Sequence, residues 1–343
     1  MNKAVEAFKK KREKISGVTS NSQPPQDWLN TGSYTMNKIL SGSYDKGFAM
    51  SRMSMVTGPS DAGKSFIAMN AALEAQKRGY GVFIVDSEHA LDNNYFSNVG
   101  IDVDNELFIY NDVDSLESAK KLISEFTTTV RDNQKDLPPF VIIIDSLDQL
   151  KTKSHIEKAE KGEVHNDQGQ HAKQLKQFGF DVAHDIKDIN VFGIATKQPY
   201  VNQDPIMSKV KPYIITESMR FPFSQILLVW NRRVKDKKTR SVEGIELTAV
   251  AEKTRFCKPY QSCRVTVPYE TGIDKYSGIL EAAEELGILE KSGAWYSYNG
   301  NKFQKSSMDE KLLHEIYENL VKLDEENSTV LNYLEDSEEN EGD

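Results

Sequence analysis

From Trp28 onward the apolar positions of this chain follow two different periods. Short apolar runs at 53–57, 81–86, 107–110, 140–145, 191–196, 225–230, 245–251 and 263–268 predict strands. Longer stretches with apolar residues every three to four positions predict helices at 64–78, 115–131 and 168–188. In 115–131 the stripe is Leu116, Ala119, Ile123, Phe126 and Val130, and Gly79 ends the helix before it. The first five strands are separated by helices, so they should run parallel and be buried on both faces. The last three lie closer together and predict an antiparallel extension. Asn299-Gly300 between the aromatic flanks of WYSYNGNKF is a hairpin signal. One amphipathic helix is predicted near 308–323. The class is α/β, with a mostly parallel central sheet, an antiparallel extension, a short N-terminal helix and a reduced C-terminal region.

Charge changes this picture mainly at the two ends. The first 14 residues hold six Lys or Arg around Ala4, Val5, Ala7 and Phe8, which predicts a short basic helix. The Ser-, Asn- and Pro-containing stretch 16–25 then reads as a linker. At the other end, residues 324–343 hold nine Asp or Glu and no Lys or Arg, which predicts an acidic disordered tail. The net charge of −9 is therefore that tail, and the body is balanced, with 43 basic residues in the chain. The 2 cysteines, Cys257 and Cys263, make neither a disulfide framework nor a zinc site, which favours a reducing cytoplasm. No apolar run approaches the ~18 residues of a membrane span.

Candidate chemistry begins at 58–65, where GPSDAGKS follows a strand and opens a helix. This is the phosphate-binding pattern G-x-x-x-x-G-K-[ST]. Gly58, Pro59, Ser60, Asp61, Ala62 and Gly63 would turn backbone N–H groups toward phosphates. Lys64 would reach the β- and γ-phosphates, and Ser65 would help hold Mg²⁺. Asp145, ending the apolar run FVIIID, is the expected second metal carboxylate. The ligand is a nucleoside triphosphate. Glu88, at the end of the strand after the phosphate-loop helix, is placed to polarise a water for attack on the γ-phosphate.

The segment EHALDNNY around Glu88 resembles the EHALDPIY of the bacterial RecA recombinases. NTGSYTMNKILSG (30–42) and GAWYSYNG (293–300) resemble that family too, and TGIDKYSGILEAAEELG (271–287) is similar to its bacteriophage UvsX-like branch. The resemblance runs from about Trp28 to Phe303. It implies a RecA-type P-loop ATPase core that uses ATP and Mg²⁺, with Glu88 as the catalytic glutamate. It implies adenine contacts at Asp92, Tyr95 and Tyr269. Gln198 would sense the γ-phosphate, and Lys253 and Arg255 would reach the ATP of a neighbouring subunit. On residue pattern alone the last two read as a solvated strand edge.

The resemblance also implies two DNA-binding loops. The first, 151–172, offers Lys151, Lys153, Lys158 and Lys161. Its His155, His165 and His171 lack metal-ligand spacing. The second, 199–222, offers Lys209, Lys211 and Arg220 to phosphates, and Tyr200, Met207 and Tyr213 to bases. Unlike its relatives, this loop holds no glycine; none occurs between Gly193 and Gly244. The basic run 232–240 reads as a solvated hairpin.

The implied organisation is an oligomerising segment (1–25), an ATPase and DNA-binding core (26–290), a small C-terminal hairpin and helix (291–323) and the tail. The implied function is ATP-dependent strand exchange between single-stranded DNA and a homologous duplex, in helical filaments. A single-strand-binding protein and a recombination mediator are further expected partners, and a membrane is not. Two other readings share the core: a ring-forming DNA helicase, which normally needs a further domain, and a regulatory ATP-binding module without strand exchange. The acidic tail would compete with DNA for basic loops. Removing 324–343 is therefore expected to tighten DNA binding at low salt, measured by fluorescence anisotropy, and unchanged affinity would sink the idea.

Overall fold

The computed structural model describes residues 3–12, 24–162, 168–209, 212–235 and 239–340. Its centre is an eight-stranded sheet of β1 (Met53–Thr57), β2 (Gly81–Asp86), β3 (Phe108–Asp112), β4 (Phe140–Asp145), β5 (Val191–Lys197), β6 (Gln225–Lys235), β7 (Val242–Lys253) and β8 (Ser262–Pro268). The spatial order is β8-β7-β6-β1-β5-β4-β2-β3. Residues alternate across it as a pleated sheet demands. Val82, Ile84, Val141 and Ile143 face the helix Lys64–Lys77, whose Ala68, Ala71, Ala72 and Ala75 permit close approach. Phe83, Val85, Ile142 and Ile144 face the helices Leu116–Asp132 and Gln168–Asp185 on the other side.

One expectation needs correction. The spacing of the last three strands puts the one from Gln225 in an antiparallel extension, but β6 pairs parallel with β1 (Gln225 opposite Ser54, Leu228 opposite Thr57). The chain leaves β5 through 199–222 and returns to the starting end of the sheet, so β6 is the sixth parallel strand. Only β7 and β8 are antiparallel. Beyond Leu228 the strand β6 outruns β1 and pairs with β7, carrying Arg232, Arg233 and Lys235 of the basic run; 236–238 lie outside the described residues.

A buried amide ties the N-terminal part to this sheet. Gln225 is fully buried; its Oε1 accepts from Ala49 N (3.1 Å) and Ser54 Oγ (2.9 Å). Its Nε2 donates to the carbonyls of Leu40 (3.1 Å) and Gly47 (2.9 Å). Four otherwise buried polar groups thus share one side chain.

The helix Lys3–Arg12 forms as expected. The C-terminal part has its own core of Tyr276, Ile279, Leu280, Tyr296, Tyr298, Ile316 and Leu320. The hairpin turns at Asn299 (φ 49°) and Gly300 (φ 77°), both left-handed, as a two-residue loop requires. The last helix does not stop near 323: it runs Glu310–Asn340, so the backbone of the expected disordered tail is helical to Asn340. The chain holds neither glycine nor proline between Gly300 and Gly342, so no residue there breaks the helix. Among the described residues no helix is long and apolar enough to cross a membrane.

Replacing Gln225 by Leu leaves two donors and the Gly47 carbonyl unpaired, while Leu40 O keeps the Thr254 hydroxyl at 2.6 Å. The variant is expected to lose about 3 kcal/mol or more of stability, read from the urea midpoint. A loss under about 1 kcal/mol would mean that these groups find other partners.

Candidate nucleotide site and its flanking loops

Strand β1 ends at Thr57, whose hydroxyl is buried with no hydrogen-bond partner, and the chain turns into the glycine-rich loop. Gly58 has no room for a side chain, since a Cβ there would lie 2.3 Å from the carbonyl oxygen of Val229. Gly63 (φ +92°) sits in the left-handed region and starts the helix at Lys64. Asn231 on β6 donates to Asp61 O at 2.5 Å, and Ala62 N donates to Pro59 O at 3.3 Å. The loop is therefore held from both sides around the helix N-terminus.

Lys64 is largely buried, and its Nζ donates to Pro59 O at 2.9 Å, a carbonyl of its own loop. Burial pulls its pKa down, against the opposing fields of Glu88 and Asp145. A desolvated ammonium in a cradle of turned backbone, beside an orphaned hydroxyl, fits an anionic phosphate chain.

Asp145 ends β4, is buried, and accepts hydrogen bonds from the Thr196 and Ser65 hydroxyls. Burial raises its pKa more than those bonds lower it. The expected metal pair, Ser65 and Asp145, is thus brought close together. Two oxygen donors side by side, one an underneutralised carboxylate, suit a hard divalent cation.

Glu88 owes its position to a residue that the sequence reading passed over. Asp86 is fully buried at the end of β2. Its Oδ1 accepts from Glu88 N (2.9 Å) and His89 N (3.0 Å), and its Oδ2 from Leu91 N (3.1 Å) and the Tyr110 hydroxyl (2.9 Å). The signal was present, because Asp86 closes an apolar run just as Asp145 does. The parallel register sets Asp86 beside Asp145. That brings Ser146 to Glu88, and its Oγ donates to Glu88 Oε1 at 2.6 Å. Ser87 Oγ donates to Ser146 O (2.6 Å) and accepts from Ser146 N (3.1 Å), which joins the two strand ends. His89 (φ 54°) turns its Nδ1 onto Asp112.

The expected adenine residues are only partly assembled. Asp92 caps the helix Asn93–Val99, accepting from Tyr95 N at 2.7 Å, a structural duty the sequence reading did not assign. Tyr95 packs against the core cluster, and burial pushes its hydroxyl up to about 12. Tyr269 is exposed at the end of β8, while nearby Ile273 packs on the same cluster as Tyr95.

Gln198 joins the phosphate loop to the chain leaving β5. Its Nε2 donates to Ser60 Oγ at 3.2 Å, and its backbone N donates to Asp148 Oδ2 at 2.5 Å. Lys197 pairs with the other oxygen of Asp148. The next residues form a hairpin, with Tyr200–Val201 against Tyr213–Ile214. Asp204 makes the turn without glycine, accepting from Ile206 N and Met207 N at 2.8 Å each. Tyr200, Met207 and Lys209 are exposed, as are Val201 and Ile206, two apolar residues that the sequence reading missed. Lys211 lies outside the described residues.

Arg220 is not available as expected. Its guanidinium donates to Glu252 O (2.8 Å) and contacts Glu252 Oε2 (3.4 Å), so the charge is spent inside the protein. Lys253 Nζ caps Arg220 O at 2.5 Å, and burial, then Arg255, lowers its pKa. Lys253 lies opposite Ile226, at the starting end of β6 and away from the chain's own phosphate loop. Arg255 is exposed beside it.

In the first loop Thr152 caps the helix Lys153–Glu160. Lys151, Lys153 and Lys161 are exposed, and Lys158 is half-buried. A ring nitrogen of His171 lies 2.8 Å from Leu150 O, a structural contact rather than a metal ligand; His165 lies outside the described residues.

Comparisons with known proteins bear on the family and the fold. The RecA N-terminal domain family matches residues 1–274, and the RecA C-terminal domain family matches 277–305. Protein RecA of Synechococcus sp. (strain CC9902) is 28% identical over 274 residues, 80% of this chain and 68% of the relative. Protein RecA of Staphylococcus aureus (strain JH9) is 28% identical over 283 residues, 82% of this chain and 77% of the relative. The crystal structure of the RadB recombinase shares the fold, with a TM-score of 0.50 at 18% identity over 71% of this chain and 98% of that one. Glycine loop, buried carboxylate pair and family match converge: the chain belongs to the RecA family.

Proposed function

We propose that this protein is an ATP-dependent recombinase of the UvsX-like branch, which forms helical filaments on single-stranded DNA and exchanges strands with a homologous duplex. The observation that carries the reading is the Gln198 side chain, which contacts Ser60 of the phosphate loop while Gln198 itself opens the second hairpin. A change at the γ-phosphate would be felt there first.

In this reading Lys64 and the loop N–H groups hold the triphosphate, and Ser65 with Asp145 holds Mg²⁺, which neutralises developing phosphate charge when bound. Glu88, steadied by Ser146 and by Asp86, accepts a proton from the attacking water. Lys253 and Arg255 serve the ATP of the next subunit, since their end of the sheet faces away from their own loop. Such a head-to-tail contact builds an open helix when its rotation does not close. The exposed hairpin residues Tyr200, Val201, Ile206 and Met207 meet bases, and Lys151, Lys153, Lys158, Lys161 and Lys209 are the candidates for phosphates.

Electron microscopy with single-stranded DNA and a non-hydrolysable ATP analogue is expected to show continuous, nucleotide-dependent helical filaments. Closed rings would favour a helicase, and no assembly would remove the filament reading. Glu88→Gln is expected to bind ATP and DNA but to turn over ATP ~10²-fold more slowly; normal turnover would exclude Glu88 as the base. Gln198→Ala should still bind the analogue, yet lose the strengthening of DNA affinity that the analogue produces in the unaltered protein. Retained strengthening would break the proposed route.

A further inference from the structure

Beside the phosphate loop, on the sheet face away from the helix Lys64–Lys77, lies a cavity of about 610 Å³. It exists because β6 outruns β1. Leu228 is opposite Thr57, the last residue of β1, so Trp230 two positions on has no β1 neighbour on that side. Leu227 and Val229 pack into the core, while Leu228 and Trp230 turn to the cavity with Val250 of β7. The indole is 39% exposed. The other walls are the tip of the phosphate loop (Pro59–Ala62) and the second hairpin, through Pro212 and Tyr213.

We infer that this cavity is a nucleobase site in which a base stacks on Trp230. The inference rests on the proposed DNA-binding function and adds to it a specific seat beside the ATP loop. Three observations fix the ligand class. The volume lies within the about 300–1,000 Å³ of small-ligand sites, and the floor is apolar with an aromatic face available for stacking. Among the described residues the charged ones on the walls are Asp61 and Glu252, the latter paired with Arg220, with no Lys or Arg lining the cavity, so a phosphate is disfavoured and an uncharged ring bearing N–H donors is favoured. Asn231, also on the wall, spends its amide N–H on Asp61 O and keeps its carbonyl oxygen for such a donor.

The position of the site gives it a consequence. Pro59 O receives Lys64, and Ser60 receives Gln198, so an occupant touching this wall presses on the residues that grip phosphate and relay its state. The Tyr213 wall belongs to the hairpin that would carry the strand. A base seated here reports the presence of DNA to the ATP loop without passing through the hairpin tip.

The test uses the full chain with a non-hydrolysable ATP analogue, and the part of its tryptophan emission that Trp230→Phe removes. Binding of a short oligothymidylate, and of an equally long oligonucleotide with abasic sites, is followed separately by anisotropy. Quenching of the Trp230 component by oligothymidylate, absent with the abasic oligonucleotide, is the expected result. Trp230→Ala should then weaken oligothymidylate binding about tenfold and leave the abasic oligonucleotide unaffected. Quenching by free nucleosides alone supports the base site and assigns a mononucleotide as its source. Equal quenching by the abasic oligonucleotide, or binding without quenching, overturns the site while leaving the recombinase reading intact. An emission change produced by the analogue alone, growing with protein concentration, overturns it in favour of a second copy covering the cavity. No oligonucleotide binding at all overturns both readings together.

Discussion

Two carboxylates buried at the ends of adjacent parallel strands hold the rest of the site in place. A buried charge is tolerated only when its lone pairs are occupied. Asp86 meets that demand with three backbone N–H groups and the Tyr110 hydroxyl, and Asp145 with two hydroxyls. The groups recruited to satisfy them are the candidate site residues: the chain carrying Glu88, and the Ser65 hydroxyl at the start of the phosphate-loop helix. Asp145 remains underneutralised, with burial and the nearby Glu88 and Asp86 holding its pKa high. A divalent cation held there would relieve that cost.

The same demand explains why the glycine-rich loop and the hairpin after β5 are mechanically close. Asp148 sits after β4 and holds both Lys197 and the backbone of Gln198, so β4 fixes where β5 releases the chain. In the hairpin beyond Gln198, Tyr200, Val201, Ile206 and Met207 are exposed, whereas the strands below are buried on both faces.

Much of this was legible in the residues in order. The two periods located all eight strands of the sheet, and Gly-x-x-x-x-Gly-Lys-Ser located the phosphate loop, because each signal is local in sequence. The misreadings share a cause. Arg220 reads as a free cation in the sequence, but Glu252, on a strand two connections later, packs against it. The direction of β6 depends on which end of the sheet the chain returns to, and the spacing between strands does not encode that.

The sequence by itself determined the element types, the glycines of the loop and which side chains, Lys64, Glu88 and Asp145, stand as candidates, since backbone geometry and side-chain chemistry are properties of short stretches. The tertiary structure alone decided that Asp86 sits beside Asp145 and that Ser146 reaches Glu88. It alone opened a cavity beneath Trp230 where one strand outlasts its neighbour. Those outcomes depend on strand register and differences in strand length, which arise only when distant segments are packed together.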